Sequence, residues 1–210
     1  LRLILDYPVF LRYNKSQTKG SEAADTETDE ELFRRFQNGG TSELSQLVER
    51  HGDSVTLYIN AIIGDAQDAE DLMIEAFSRV CAKALSFTGG GFRPYLYKTA
   101  RNLALRFASR NRLRRHFGFD DMELEPESGE LVERVVQTRE RDALLRLCLD
   151  KLHPDYREAL YLIYFEDLSQ AEAAAVMGKN EKQIKNLVLR GKQALRALLE
   201  SEGITDAHNF

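Results

Sequence analysis

The sequence predicts an all-α chain folded as two small helical domains. Three observations carry that expectation: only four of 210 residues are proline, apolar residues recur at helical spacing, and no stretch alternates apolar and polar as a sheet face does. Two helix starts are also written into the chain, Thr28 with Glu31 and Ser169 with Glu172, each a capping box. The length leaves room for two cores.

The elements follow in order. Leu1 to Leu11 is a short apolar segment holding Pro8, and a Lys/Ser/Thr/Gly stretch and an acidic stretch come after it, so residues 1–28 read as a loosely ordered extension. The Thr28 box opens a helix through about Gln37, which Gly39 and Gly40 close. A second helix is expected over about Ser42–Ile63, with Leu44, Leu47, Val48, Val55, Tyr58, Ile59 and Ile62 as its apolar face and Gly52 as a point of interruption. A third is expected over about Ala66–Leu85 and a fourth over about Phe92–Arg115. Gly118 to Gly129, with Pro126 and many acids, reads as a linker, and helices resume near Glu130 and run to about Glu200.

Within that last stretch, Ser169 caps a short helix with Leu168 and Ala173 as a hydrophobic staple, Gly178 suits the left-handed position after it, and Asn180 caps the next helix with Gln183 at its third position. Two helices three residues apart are the layout of a helix-turn-helix. Ile184, Leu187, Val188, Leu195 and Leu198 form the expected buried stripe of the second helix, while Lys182, Gln183, Lys185, Asn186 and Arg190 fall on its other faces, Arg190 and Lys192 lying a turn or more beyond Lys185 and Asn186. Those types suit phosphate and base-edge contacts. The same pattern also fits a helical hairpin with a solvated lysine face.

The net charge of −5 speaks against a nucleic-acid binder, but the distribution reverses that impression. Phe92 to His116 holds eight Lys or Arg and no acid, whereas Phe119 to Glu133 holds seven acids and no base. Cys81 and Cys148 lie far apart without a CxxC, and the histidines are scattered, so reduced thiols are expected and no metal or cofactor. No nucleophile–base constellation or phosphate-binding glycine motif marks an enzyme. With no signal peptide and no run of membrane-spanning length, a cytoplasmic protein without membrane insertion is expected.

Two further motifs carry function. In DAEDLMIEAFSRV, Ala69, Leu72, Met73, Ala76, Phe77 and Val80 repeat at helical spacing and face a core, leaving Glu70, Asp71, Ile74, Glu75 and Arg79 outside. An isoleucine exposed among acids suits a partner patch with an apolar centre, although a solvated face with one stray apolar residue has the same pattern. In FTGGGFRPYLYKTARNLALRFASRNRLRRH, Gly89, Gly90 and Gly91 make a loop that lets a backbone approach closely, and Pro94 falls in the first turn of the helix after it. Phe92, Tyr95 and Tyr97 alternate with Arg93, Lys98 and Arg101. Rings stack on unpaired bases and cations follow phosphates, so single-stranded nucleic acid is a better fit than aromatics in a core and arginines in water, although some of these rings are expected in the core.

In this order the three motifs resemble the extracytoplasmic-function (ECF) group of the sigma-70 family of bacterial RNA polymerase sigma factors, over about Asp29 to Glu200. DAEDLMIEAF resembles the family's region 2.2, FRPYLYKTARNLAL its regions 2.3 to 2.4, and the segment from Leu152 its region 4. The resemblance implies a region 2 bundle over 29–116, an acidic linker over 117–138, a region 4 helix-turn-helix over 139–203 and a tail over 204–210. It implies core RNA polymerase as partner, through the β′ clamp helices and the β flap, together with promoter DNA and, where one exists, an anti-sigma factor. Asp71, Ile74 and Glu75 then match the clamp-docking positions. Phe87 to Phe92 match the loop that captures a flipped base of the minus-ten element, and Tyr95, Lys98, Arg101 and Asn102 match positions near the melted strand. Gln183, Lys185, Asn186 and Arg190 match the helix that reads the minus-35 element.

The chain departs from the family pattern at Tyr95, where tryptophan is commonest, at Ile74, where glutamine is frequent, and at Leu187, where arginine is common. A relative's promoter sequence therefore does not transfer. Two other classes stay open: a stand-alone helix-turn-helix regulator, for which no heptad seam for dimerisation is visible, and a sigma-like interaction protein whose DNA face has decayed.

Overall fold

The computed structural model describes residues 27–87, 91–116, 148–149 and 151–201, with 112–116 as backbone alone. The expectations for residues 1–26, Gly89, Gly90, the linker over 117–138 and the tail over 204–210 lie outside these residues. Among the described residues all regular structure is helical, and the chain divides into two compact units, one holding 27–116 and the other 148–201.

The first unit has four helices. In α1, Asp29–Gln37, the Thr28 hydroxyl accepts the Glu31 N–H and the Glu31 carboxylate accepts the Thr28 N–H, while three acids in the first turn and two arginines in the last complement the helix dipole. Gly39 follows with φ 102°. Helix α2, Ser42–Ile63, is continuous through Gly52, which is buried and whose carbonyl accepts the Thr56 hydroxyl at 3.0 Å. The expected interruption is absent because a glycine inside a long helix costs only about 1 kcal/mol against alanine, which tertiary packing offsets. Leu47, Val55, Tyr58 and Ile59 are buried as expected, whereas Leu44, Val48 and Ile62 are half-buried and Glu43, His51 and Asn60 are buried instead. Asp65 caps α3, Ala66–Cys81, by accepting the Asp68 N–H at 2.8 Å. Helix α3 ends four residues before the expected Leu85. Just beyond its end, the Lys83 carbonyl accepts the Gln37 side-chain amide of α1 at 2.9 Å. Helix α4, Phe92–His116, packs on α1, α2 and α3.

Polar anchoring joins α1 to α2. Asp29 lies 2.7 Å from His51 Nε2 and 3.0 Å from Arg50 Nη1. Burial raises the Asp29 carboxyl pKa, but the hydrogen bonds and charges of His51 and Arg50 outweigh it and hold the group below its usual range.

The second unit contains α5, Pro154–Tyr164, α6, Gln170–Met177, and α7, Glu181–Ser201. The Ser169–Glu172 capping box forms, Gly178 takes the left-handed conformation at φ 65°, and three residues separate α6 from α7. Asn180 and Gln183 cap α7 reciprocally, each side-chain oxygen accepting the other's backbone N–H at 2.9 Å. Leu160 of α5 packs with Leu195 and Leu199 of α7 around Cys148 and Leu152.

The seam of α7 keeps its expected face and gains a glycine. Ile184, Gly191, Leu195 and Leu199 are buried, and Val188 and Leu198, half-buried, pack against the same core, with Leu187 half-buried beside them. Gly191 belongs to the seam because a Cβ there would meet Leu160 Cδ1 and Tyr156 Cβ at 3.2 Å. The backbone of α7 itself lies against α5 at that point, and a stripe built from large apolar residues overlooks a contact made by a glycine.

Candidate nucleic-acid and partner interfaces

Three surfaces gather the candidate residues. On α3, Ala69, Leu72, Ala76, Phe77 and Val80 are buried and Met73 half-buried, so the opposite face is left to Asp71, Ile74 and Glu75. Ile74 is 58% exposed, and Glu75 accepts Arg79 at 2.6 Å on the same helix. Burial, then Asp65 and Asp71, push the Asp68 carboxyl above its usual range, which marks this end of α3 as a concentration of negative charge. An apolar centre with an acidic border suits a basic, partly apolar partner helix.

The second surface surrounds the entry to α4. Phe87 is half-buried, its ring centroid 5.6 Å from that of Tyr95, and Lys83 Nζ donates to the Tyr95 hydroxyl at 3.0 Å. Gly91 permits a close approach, since a Cβ there would stand 3.1 Å from the Phe87 ring. Further along, Lys98, Asn102, Leu105 and Arg106 lie on one exposed face, with Arg101 half-buried beside it. Phe92 and Tyr97 correct the stacking expectation. Phe92 is 1% exposed and Tyr97 fully buried, their rings 5.3 Å from Phe33 and 5.2 Å from Tyr58. Their rings belong to the core, and of the three aromatics only Tyr95 stays half-buried.

The third surface is α7. Lys182, Lys185, Asn186 and Arg190 are exposed, with Leu189 among them at 56% exposure. One of the remaining residues makes its expected cap and the other differs from expectation in what it touches. The Gln183 carbonyl oxygen is occupied by the cap with Asn180, and Lys192 is half-buried with its ammonium 4.4 Å above the Tyr164 ring of α5. A lysine held over a ring braces α7 against α5, while Arg190 at this end stays exposed. Leu187, half-buried, flanks the seam.

The sigma-70 region 2 model matches residues 47–114 and the sigma-70 region 4 model residues 142–195. The RNA polymerase sigma factor NccH of Alcaligenes xylosoxydans xylosoxydans is 30% identical over 86% of this chain and 99% of its own length. The chain belongs to the ECF group of the sigma-70 family. The ECF sigma factor BldN of Streptomyces coelicolor is 34% identical over 82% of this chain, which spans 66% of the length of BldN. In fold, the chain resembles CnrH, solved with the cytosolic domain of CnrY, at TM-score 0.58 and 24% identity over 83% of this chain and 99% of that one.

Placed in this sigma factor, the α3 and α4 surfaces fall within the region 2 match, and nearly all of α5 to α7 within the region 4 match. Sequence reasoning missed Leu105 and Leu189, exposed apolar residues on the basic faces of α4 and α7. It also missed the role of α1 in holding the α4 entry. Leu189 was detectable, since it is three residues from Asn186 on the face opposite the seam. The α1 contacts span 46 and 62 residues of sequence and leave no local signal. Among the described residues no cluster of three or more His, Cys, Asp or Glu is placed to hold a metal, and no helix is long and apolar enough to cross a membrane.

Proposed function

We propose that this chain is the promoter-recognition subunit of bacterial RNA polymerase for a restricted set of promoters. Asp71, Ile74 and Glu75 dock on the β′ clamp helices. The α4 entry, with Tyr95 and the Lys98–Asn102 face, receives the unpaired minus-ten strand, and the α7 face with Lys185 and Asn186 reads the minus-35 element in the major groove. Region 4 also meets the β flap. Unstacking each base costs a few kcal/mol, and a protein surface that accepts the extruded base offsets part of that cost. The polymerase supplies the chemistry, so the chain works in the cytoplasm without a catalytic group or cofactor of its own. An anti-sigma factor that covers either surface would silence it.

The observation that carries this reading is the placement of two exposed basic helix faces, on α4 and on α7, in two separate compact units, one of which also bears the Ile74 patch. One polypeptide can thereby serve two promoter elements and a protein partner. The experiment is run-off transcription with core polymerase on fragmented genomic DNA. Discrete new start sites that need the purified chain support the reading, and transcription identical with and without it overturns it.

A further inference from the structure

We propose that Glu30 and Gln37 of α1 are positioning residues for minus-ten recognition, holding the entry to α4 from both sides. The inference rests on the reading of that entry as the minus-ten site. Glu30 Oε1 accepts the Phe92 N–H at 3.0 Å, and Gln37 Nε2 donates to the Lys83 carbonyl at 2.9 Å. Between them on the same face of α1, Phe33 lies 5.3 Å from the Phe87 ring and 5.3 Å from the Phe92 ring. The spacing 30, 33, 37 is one stripe of a helix, so a single rigid element sets all three contacts.

The chemistry of each contact suits that role. The first N–H groups of a helix have no partner within it, and a negative charge there also complements the positive end of the helix dipole. Helix α4 cannot supply such a group itself: its first turn carries no acid, and Gly91 before it has no side chain. Glu30 provides the acceptor from α1. At the other side, Lys83 is held by its carbonyl while its ammonium donates to the Tyr95 hydroxyl at 3.0 Å. Gln37 therefore acts on the Tyr95 edge through Lys83, and Glu30 acts on the same helix turn through Phe92. Neither residue touches DNA in this scheme. Each sets where Phe87 and Tyr95 stand when a base arrives.

The test uses the full chain with core polymerase and promoters carrying each base in turn across the minus-ten element. Glu30→Ala and Gln37→Leu should each reduce discrimination between the preferred and next-best base about fivefold, the size of a lost cap hydrogen bond. Core affinity and minus-35 preference should stay within about twofold of wild type, and Glu30→Gln, which keeps an acceptor oxygen, should retain discrimination. Amide exchange at Phe92 should quicken in Glu30→Ala and not in Glu30→Gln. Because Glu30 is half-buried and Gln37 exposed, these substitutions leave the core intact. Unchanged discrimination in both Glu30→Ala and Gln37→Leu overturns the proposal, as does an equal loss on every promoter that follows the thermal midpoint. If wild type itself ignores base identity across the element, the minus-ten reading falls first and the positioning role with it.

Discussion

Ile74 is a large apolar side chain that the folded region 2 leaves 58% exposed on a helix whose other face is core. Exposure on that scale means that a polar replacement removes almost nothing from folding, whereas at the centre of an interface it removes a buried anchor. Ile74→Asp and Glu75→Lys are therefore expected to weaken core-polymerase binding by about 2 kcal/mol or more while the melting temperature moves little. Binding equal to wild type in both variants would remove these residues from the docking surface, and a large loss of melting temperature would return them to the core. Asp29 makes a second prediction at this scale. Its carboxyl pKa is held down in the folded state by His51 and Arg50 against the cost of burial, so the ionised form stabilises the fold. That contribution is present above the unfolded value of about 3.9 and is lost as pH falls through the lower folded value. Acid unfolding of Asp29→Asn should accordingly show a shallower pH dependence than wild type below about pH 4; identical slopes would mean that the anchor adds nothing to stability.

Helix α7 shows how an element divides its surface between fold and recognition. Its seam at Ile184, Gly191, Leu195 and Leu199 faces the core, and the side opposite carries Lys182, Asn186 and Leu189, flanked by Lys185 and Arg190. Asn186 near the start of the helix can bond a base edge with both its groups, so substituting it should shift minus-35 preference by about 1–3 kcal/mol at one position. Arg190→Ala should instead weaken binding evenly across sequences and lower the salt slope by about one unit. Binding isotherms at several salt concentrations on a panel of minus-35 sequences separate the two effects, and exchanged outcomes would mean that the helix enters the groove in another rotation. Lys192, set over Tyr164, should affect stability more than DNA affinity.

For the whole molecule, charge decides how promoter binding depends on the partner. The basic faces of α4 and α7 sit on a chain of net charge −5, so long-range attraction to duplex DNA is weak for the protein alone. The free chain should bind its promoter duplex at least about 100-fold more weakly than the holoenzyme does, since specific affinities of 10 nM or tighter require many phosphate contacts. Tight, sequence-specific binding by the purified chain without polymerase would favour the stand-alone regulator instead.

What the amino-acid order determined by itself is whatever depends on neighbours a few residues away. The all-helical class, the starts of α1 and α6 at their capping boxes, the left-handed stop at Gly178, the Asn180–Gln183 cap and the outward face of α3 around Ile74 all rest on hydrogen bonds and periodicities contained within a turn or two. The tertiary structure decided what depends on distant partners. It withdrew the rings of Phe92 and Tyr97 into the core and carried α2 through Gly52. It also added Gly191 to the seam of α7 and brought Glu30 and Gln37 to the entry of α4. An aromatic beside an arginine has the same local pattern whether it stacks on a base or on Phe33. Only the packing of α1 and α2 on α4 distinguishes the two, because burial is set by which helices meet and a single helix carries no record of its neighbours.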